Sequence, residues 1–190
     1  MTTSTSPDLT ANLSFITAEI TDLVARLDLR PLSPVVTATA AAPRVFVVGS
    51  GRSGLVMRMA AMRLMHLGLD VHVVGETTTP AIRAGDLLLT ASGSGSTPAV
   101  VGAARTAAGV GARVAAFTID AGSALAEIAD FVVVIPAQAK TDHGGTASRQ
   151  YSGSLFEQGL LLSTEVLFQS LWDLDGSSAE QLWPRHANLE

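Results

Sequence analysis

Short apolar runs alternate with helical segments between residues 44 and 135, and this alternation is the strongest constraint on the fold. The runs are rich in valine and leucine and lack polar alternation, which is typical of strands that are buried on both faces. Helices between successive strands imply crossover connections and therefore a parallel sheet. The sequence predicts a three-layer α/β/α sandwich with a five-stranded parallel sheet. The predicted strands are residues 45–48, 71–74, 87–91, 114–117 and 131–135, and the predicted helices are residues 55–67, 97–110, 123–129 and 159–172.

An N-terminal extension precedes this alternation. Apolar residues recur at helical spacing from Leu13 to Leu27, with charged residues between them, which predicts an amphipathic helix. Its apolar stripe can pack on its own domain or on a partner subunit. Residues 31–43 are bracketed by prolines and are compatible with a short helix or a loop. We therefore expect a helical extension over residues 1–43, with a polar leader at its start, and a main domain over residues 44–190.

Two glycine-rich turns follow the first and third predicted strands, where parallel sheets bind ligands. Glycine lets a backbone approach a ligand closely, and a helix N-terminus offers free N–H donors. The hydroxyl groups add further donors, so the turns predict a phosphate site, whereas a polar turn without a ligand is the alternative. The candidate phosphate-binding residues are Ser50, Gly51, Arg52, Ser53, Ser92, Gly93, Ser94, Gly95, Ser96 and Thr97.

The first turn also admits other interpretations. Residues 49–54 match the pattern G-x-G-x-x-G, and Glu76 stands about 20 residues on, where a dinucleotide site places its ribose-binding acid. Ser50, Arg52 and Ser53 instead suit a compact anion, and the second turn competes for the same place. Arg52 itself is either an ordinary surface cation or a guanidinium ligand of phosphate.

Glu157 and His66 are the candidate catalytic residues. Glu157 stands near the start of a largely apolar helix, where it is either a general base or a carboxylate that stabilises the helix dipole. His66 falls in the last turn before Gly68, where an imidazolium would stabilise the helix C-terminus. About 18 Å of helix separates His66 from Gly54. If His66 is catalytic, we therefore expect it to serve a site on a neighbouring subunit.

Composition excludes several classes of function. Hydrophobic residues make up 47% of the chain, which predicts a large core, and a net charge of −5 without basic runs argues against nucleic-acid binding. The absence of cysteine excludes disulfides and thiolate metal sites, and the histidines lack metal-ligand spacing. The apolar runs are too short to span a membrane, and the start lacks a signal-peptide pattern. We therefore expect a cytoplasmic protein without a metal.

Seven segments together resemble the 6-phospho-3-hexuloisomerases, which are sugar isomerase (SIS) domain proteins with a flavodoxin-like sheet. The segments are residues 49–54 (Gly-Ser-Gly-Arg-Ser-Gly), 62–68 (Met-Arg-Leu-Met-His-Leu-Gly), 74–80 (Val-Gly-Glu-Thr-Thr-Thr-Pro), 85–88 (Gly-Asp-Leu-Leu), 92–95 (Ser-Gly-Ser-Gly), 153–158 (Gly-Ser-Leu-Phe-Glu-Gln) and 185–190 (Arg-His-Ala-Asn-Leu-Glu). The resemblance runs from about Arg44 to the last residue. One departure is Ser96, where many relatives carry glutamate.

This resemblance implies conversion of D-arabino-3-hexulose 6-phosphate to D-fructose 6-phosphate, the second step of the ribulose monophosphate route of formaldehyde uptake. It implies no cofactor, a homotetramer with sites shared between subunits, and functional coupling to 3-hexulose-6-phosphate synthase. Glu157 would move a proton between C2 and C3 through an enediol, assisted by His66 of a neighbouring subunit. The alternatives are isomerisation of a pentose or heptose phosphate, non-catalytic sensing of a sugar phosphate, and nucleotide binding at the first turn.

Overall fold

One parallel sheet of five strands forms the centre of the computed structural model, which describes residues 7–139 and 148–189. The strands are β1 (Val45–Gly49), β2 (Val71–Val73), β3 (Leu87–Ala91), β4 (Arg113–Thr118) and β5 (Phe131–Val134), in the spatial order β2-β1-β3-β4-β5. This is the flavodoxin-like order, and the chain changes direction across the sheet between β1 and β3. The sequence of residues 136–150 predicts a long polar loop, and the centre of this stretch, residues 140–147, lies outside the described residues.

Helices cover both faces of the sheet. They are α1 (Leu9–Arg26), α2 (Leu32–Ala41), α3 (Gly51–His66), α4 (Pro98–Gly109), α5 (Ser154–Asp175) and α6 (Ala179–Leu182), and a 3₁₀ turn follows at Trp183–Arg185. Val45 and Val47 of β1 face a core shared with α1, α2, α3 and α5, whereas Phe46 and Val48 face a second core with α4. This alternation arises because successive side chains of a strand point to opposite faces. The predicted three-layer sandwich is confirmed.

The prediction of a helix over residues 123–129 is wrong. The Glu127 N–H bonds to the Ser123 carbonyl, but the next two N–H groups bond to carbonyls only three residues back, so the segment forms turns. The Leu125 N–H donates to the carbonyl of Gly95, at an N···O distance of 2.9 Å. This segment is too short to hold a helix against such competing bonds.

The N-terminal helices pack on the same domain as the sheet. Residues 31–43 form a helix over most of their length, α2, rather than a loop. Leu23 of α1 is fully buried against Gly159 of α5. A Cβ atom on Gly159 would lie only 3.1 Å from a methyl group of Leu23. Leu9 and Leu13, nearer the start of α1, stay exposed. The boundary at residue 43 between the helical extension and the main domain remains a prediction.

Within residues 7–139 and 148–189, no helix combines the length and the apolar character that a membrane span needs.

Candidate active site

The two glycine-rich turns begin side by side at the carboxyl edge of the sheet. Gly49 at the end of β1 pairs in register with Ala91 at the end of β3, and neighbouring strands lie only about 4.8 Å apart. In the first turn, a Cβ atom on Gly54 would lie 2.7 Å from the Gly49 carbonyl oxygen. Glycine therefore lets the start of α3 pack directly on the end of β1.

The second turn is held by glycine and by hydroxyl contacts. Gly95 has a φ of +60°, and its N–H donates to the Ser92 carbonyl at 3.0 Å. The hydroxyl oxygens of Ser92 and Thr97 lie 2.8 Å apart, and those of Ser94 and Ser96 lie 3.0 Å apart. These four hydroxyls belong to the turn that leads into α4.

Both helices that start at these turns lack a side-chain cap. Ser50 precedes α3 and Thr97 precedes α4, yet neither hydroxyl accepts a hydrogen bond from its own helix. Serine and threonine usually cap a helix in this way. The first-turn N–H donors of two adjacent helices are therefore left without these caps, and their combined dipoles favour an anion between them.

The start of α5 brings a carboxylate to the two turns. Gly153, with a φ of +85°, precedes α5, and the Glu157 N–H donates to its carbonyl at 3.1 Å. The Arg52 Nε donates to the Glu157 carboxylate, joining α3 to α5. The Glu157 side chain is only 5% exposed, whereas that of Arg52 is 68% exposed. The guanidinium thus joins a buried acid to the open side of the site.

Phe156 supports the same arrangement from the neighbouring position. Its ring lies beside Gly93, where a Cβ atom would be 3.4 Å from the ring. The start of α5 therefore contacts both turns, through Phe156 and Glu157. The structure brings the two predicted phosphate-binding turns together with Glu157, one of the two candidate catalytic residues.

His66 lies at the opposite end of α3. This helix has 16 residues, which corresponds to about 24 Å between its ends. His66 is buried, and its ring lies 4.0 Å from the ring of His186. Burial lowers the pKa of His66 below its ordinary value, and the nearby His186 and Arg63 lower it further. The structure does not bring His66 to Glu157 within one chain.

A second carboxylate near the site, that of Glu19, is not indicated by any pattern in the sequence. Glu19 of α1 accepts hydrogen bonds from the Ser148 hydroxyl, the Arg149 N–H and the Gln150 amide. Burial raises the pKa of Glu19, but these hydrogen bonds outweigh it and the pKa is lowered. Gln150 also pairs with Gln158, the neighbour of Glu157. No sequence signal links Glu19 to residues about 130 positions away, because only the tertiary fold joins them.

Neither a metal nor a dinucleotide gains support from the geometry. Across residues 7–139 and 148–189, no three acidic or histidine side chains cluster as metal ligands. Glu76, the acid that a ribose would need, forms an ion pair with Arg58 of α3. The strand order is also that of the flavodoxin-like folds rather than the common dinucleotide-binding order.

Comparisons with known proteins agree on one family. The SIS domain model matches residues 40–161. A 3-hexulose-6-phosphate isomerase of Mycobacterium gastri is 60% identical over 183 residues, covering 96% of this chain and 92% of that protein. The Bacillus subtilis protein of the same name is 40% identical over 148 residues, covering 77% and 80%.

A solved structure adds the same similarity in three dimensions. A hypothetical protein from Methanococcus jannaschii, for which a function of 3-hexulose-6-phosphate isomerase was inferred, superposes with a TM-score of 0.80 at 28% identity. The superposition covers 95% of this chain and 99% of that one.

Proposed function

Because the chain belongs to the SIS domain family, we propose that it is an isomerase that converts D-arabino-3-hexulose 6-phosphate to D-fructose 6-phosphate. The observation that carries this proposal is the contact between Arg52 and the buried Glu157, at the junction of two uncapped helix N-termini. This arrangement supports an anion site with a carboxylate beside it. The names of the Mycobacterium gastri and Bacillus subtilis relatives support the same reaction.

The phosphate occupies the space between the two turns. The side chains of Ser50, Arg52, Ser92, Ser94, Ser96 and Thr97 and the free N–H donors of α3 and α4 hold it. Ser96 contributes its hydroxyl to this set. Anchoring the phosphate at C6 places the reacting carbons at a fixed distance from the turns, so orientation contributes to the rate.

Glu157 is the general base in this proposal. Its carboxylate removes the proton from C2 of the 3-ketose, and the electron pair of that C–H bond forms the enediolate. The same carboxylate then returns the proton to C3, while the C2 hydroxyl proton passes to the C3 oxygen. Arg52 is close enough to Glu157 to stabilise the negative charge that develops on the substrate oxygens.

His66 of a neighbouring subunit assists the proton transfer between the oxygens. Within one chain, α3 holds His66 too far from Glu157 to act on the same substrate. Leu55, Met59 and Met62 form an exposed apolar stripe along α3. This stripe suits packing against a second copy, in a homotetramer with shared sites, because exposed apolar surface favours association.

The proposed reaction has a place in metabolism. Its substrate is the product of 3-hexulose-6-phosphate synthase, so the two enzymes would work in sequence in the cytoplasm, in the ribulose monophosphate route that fixes or detoxifies formaldehyde. The relatives' names support this role through the substrate that they share.

A coupled assay of fructose 6-phosphate formation tests the proposal. We expect the wild-type protein to turn over D-arabino-3-hexulose 6-phosphate and Glu157→Gln to lose about 10³-fold in kcat, because the amide cannot accept the proton. Calorimetry should give both proteins a similar affinity for fructose 6-phosphate. Asp173→Asn, at an exposed position of α5, is the matched control and should keep its activity.

Other outcomes would replace the proposal. Turnover of a pentose or heptose phosphate alone would change the substrate, and binding without turnover would favour a sensor. Near-normal turnover by Glu157→Gln would remove this residue as the base.

A further inference from the structure

The C-terminal segment, residues 183–186, covers the end of α3 that carries His66. It follows α6, whose start is fixed by a capping box between Ser178 and Gln181. The 3₁₀ turn at Trp183–Arg185 then directs the segment onto the end of α3. There Arg185 contacts His66, from which it is 119 residues away in sequence. Two side chains of this segment, Arg185 and His186, make the contacts with His66.

Arg185 fixes the backbone at the end of α3. Its Nη1 donates to the His66 carbonyl at 3.0 Å. Its guanidinium also lies next to Gly68, since a Cβ atom on Gly68 would be 3.1 Å from the Cζ atom of Arg185. A cation at a helix C-terminus is stabilised by the helix dipole and satisfies a carbonyl that the helix leaves free.

His186 fixes the imidazole of His66. The two ring centroids are 4.0 Å apart with an interplanar angle of 31°. Trp183 packs on His186 in turn, with centroids 4.8 Å apart. We call these rings the three-ring stack (Trp183, His186 and His66). No residue in the described part of the chain hydrogen-bonds to the His66 ring nitrogens, so the stack, not a polar partner, sets the ring orientation.

We propose that His186 is a positioning residue, whose ring holds the His66 imidazole in the orientation needed for proton transfer on a substrate in a neighbouring subunit. This inference rests on the proposed function, because it requires His66 to act in catalysis. It assigns a task to the C-terminal segment, which lies outside the matched SIS domain residues.

Burial and the surrounding charges favour the neutral form of the His66 imidazole. The groups that face His66 are Arg63 on its own helix and Arg185 and His186 on the C-terminal segment, and Glu165 of α5 pairs with Arg63. Burial and the positive groups disfavour the imidazolium. A neutral imidazole can donate from one nitrogen and accept at the other, as a proton carrier between two oxygens requires.

Two variants of His186 separate stacking from charge. His186→Ala removes the ring, and we expect kcat to fall about 10-fold with KM changed less than about 2-fold, at the low end of general acid–base effects. His186→Phe keeps a ring but removes the charge, so kcat at pH 8 should stay close to wild type. In the pH profile of kcat, the acidic limb of His186→Phe should move to higher pH. The reason is that His66 is easier to protonate when the charge of His186 is absent.

Histidine-selective NMR titration of the full-length protein supplies a readout independent of turnover. The His66 signal, assigned with His66→Gln, should titrate at higher pH in both His186 variants. His72→Phe is the matched control, because His72 also packs on an aromatic ring, that of Phe46, but lies on β2. It should leave kcat and the His66 titration unchanged.

Three results would overturn the inference in a wild-type protein that is an active isomerase. They are wild-type kcat in His186→Ala, an unchanged His66 titration in both variants, and equal loss of kcat in His186→Ala and His186→Phe. A wild-type protein without isomerase activity would instead overturn the proposed function.

Discussion

At Gly95 the backbone turns with a φ of +60° while packing directly against Ser123. The carbonyl of Gly95 accepts from Leu125, so this residue joins the second turn to the segment after β4. The site's geometry therefore depends on a residue without a side chain. The same is true of Gly54, which lets α3 start against β1.

Gly95→Ala should weaken substrate binding. The new Cβ atom would lie 2.0 Å from the Ser123 hydroxyl oxygen, so the turn must shift. We expect KM for the sugar phosphate to rise about 10-fold and the free energy of unfolding to fall by about 1–3 kcal/mol, as in other overpacked sites. Steady-state kinetics and urea unfolding measure the two effects.

Gly102→Ala is the control for this substitution. Its Cβ atom would meet open space on α4, so alanine should leave KM unchanged and raise stability by about 0.5–1 kcal/mol. Equal effects of the two substitutions would contradict a specific role for Gly95.

At the scale of elements, an ion pair between half-buried Arg44 and buried Asp86 joins the starts of β1 and β3. Arg44 Nε donates to the Asp86 carboxylate at 3.1 Å, and the Arg83 N–H donates to it at 2.7 Å. The Asp86 side chain is 3% exposed. Burial raises the pKa of Asp86, but the bonds and charges of Arg44 and Arg83 outweigh it, and the pKa is lowered. This pair fixes the two strands whose opposite ends carry the glycine turns.

Arg44→Met should lower the free energy of unfolding at pH 7 by about 3 kcal/mol, because it leaves Asp86 buried without its guanidinium. The wild-type contribution is complete above the ordinary aspartate pKa and is lost as the pH falls through the lower folded-state pKa. The difference between the proteins should therefore shrink in acid. Urea unfolding at several pH values measures it.

The exposed pair of Arg30 and Asp28 supplies the control. Arg30→Met should change the free energy of unfolding little, since solvent screens exposed pairs. Similar losses from both substitutions would mean that burial of the Arg44–Asp86 pair does not matter.

At the scale of the whole molecule, α3 is the element that separates the two proposed catalytic residues. It carries the first turn at its start and His66 at its end, and α5 meets the first turn. A complete site therefore needs a second copy of the chain if both residues act on one substrate. Closed oligomers can supply it, because symmetry repeats every such contact.

Mixed oligomers test this arrangement. When inactive His66→Ala and Glu157→Gln chains are unfolded and refolded together, random mixing should restore about a quarter of wild-type activity, because each site draws on two chains. When one of the two chains is replaced by a chain that carries both substitutions, no activity should be restored. Absence of recovery in oligomers proven to be mixed would place both residues in one subunit's site.

The layered fold was predictable because its signals are local. The apolar runs of β1 to β5 and the glycines after β1 and β3 can be recognised without knowing their neighbours, and parallel strand order brings both turns to one edge. The motif resemblance to SIS domain proteins is confirmed by the family match. The local signal failed at residues 123–129, where the Gly95 carbonyl competes for an N–H group.

The sequence alone determined the sheet, the two turns and the family, because these depend on patterns within a few residues. Only the tertiary structure decided which distant side chains meet. Arg52 and Glu157 are in contact although 105 residues separate them in sequence. Arg185, which binds the His66 carbonyl, is 119 residues from His66. The groups that Glu19 binds are about 130 residues away from it. Such contacts depend on how α1, α3, α5 and the C-terminal segment pack, and that packing follows from the whole core rather than from any single stretch.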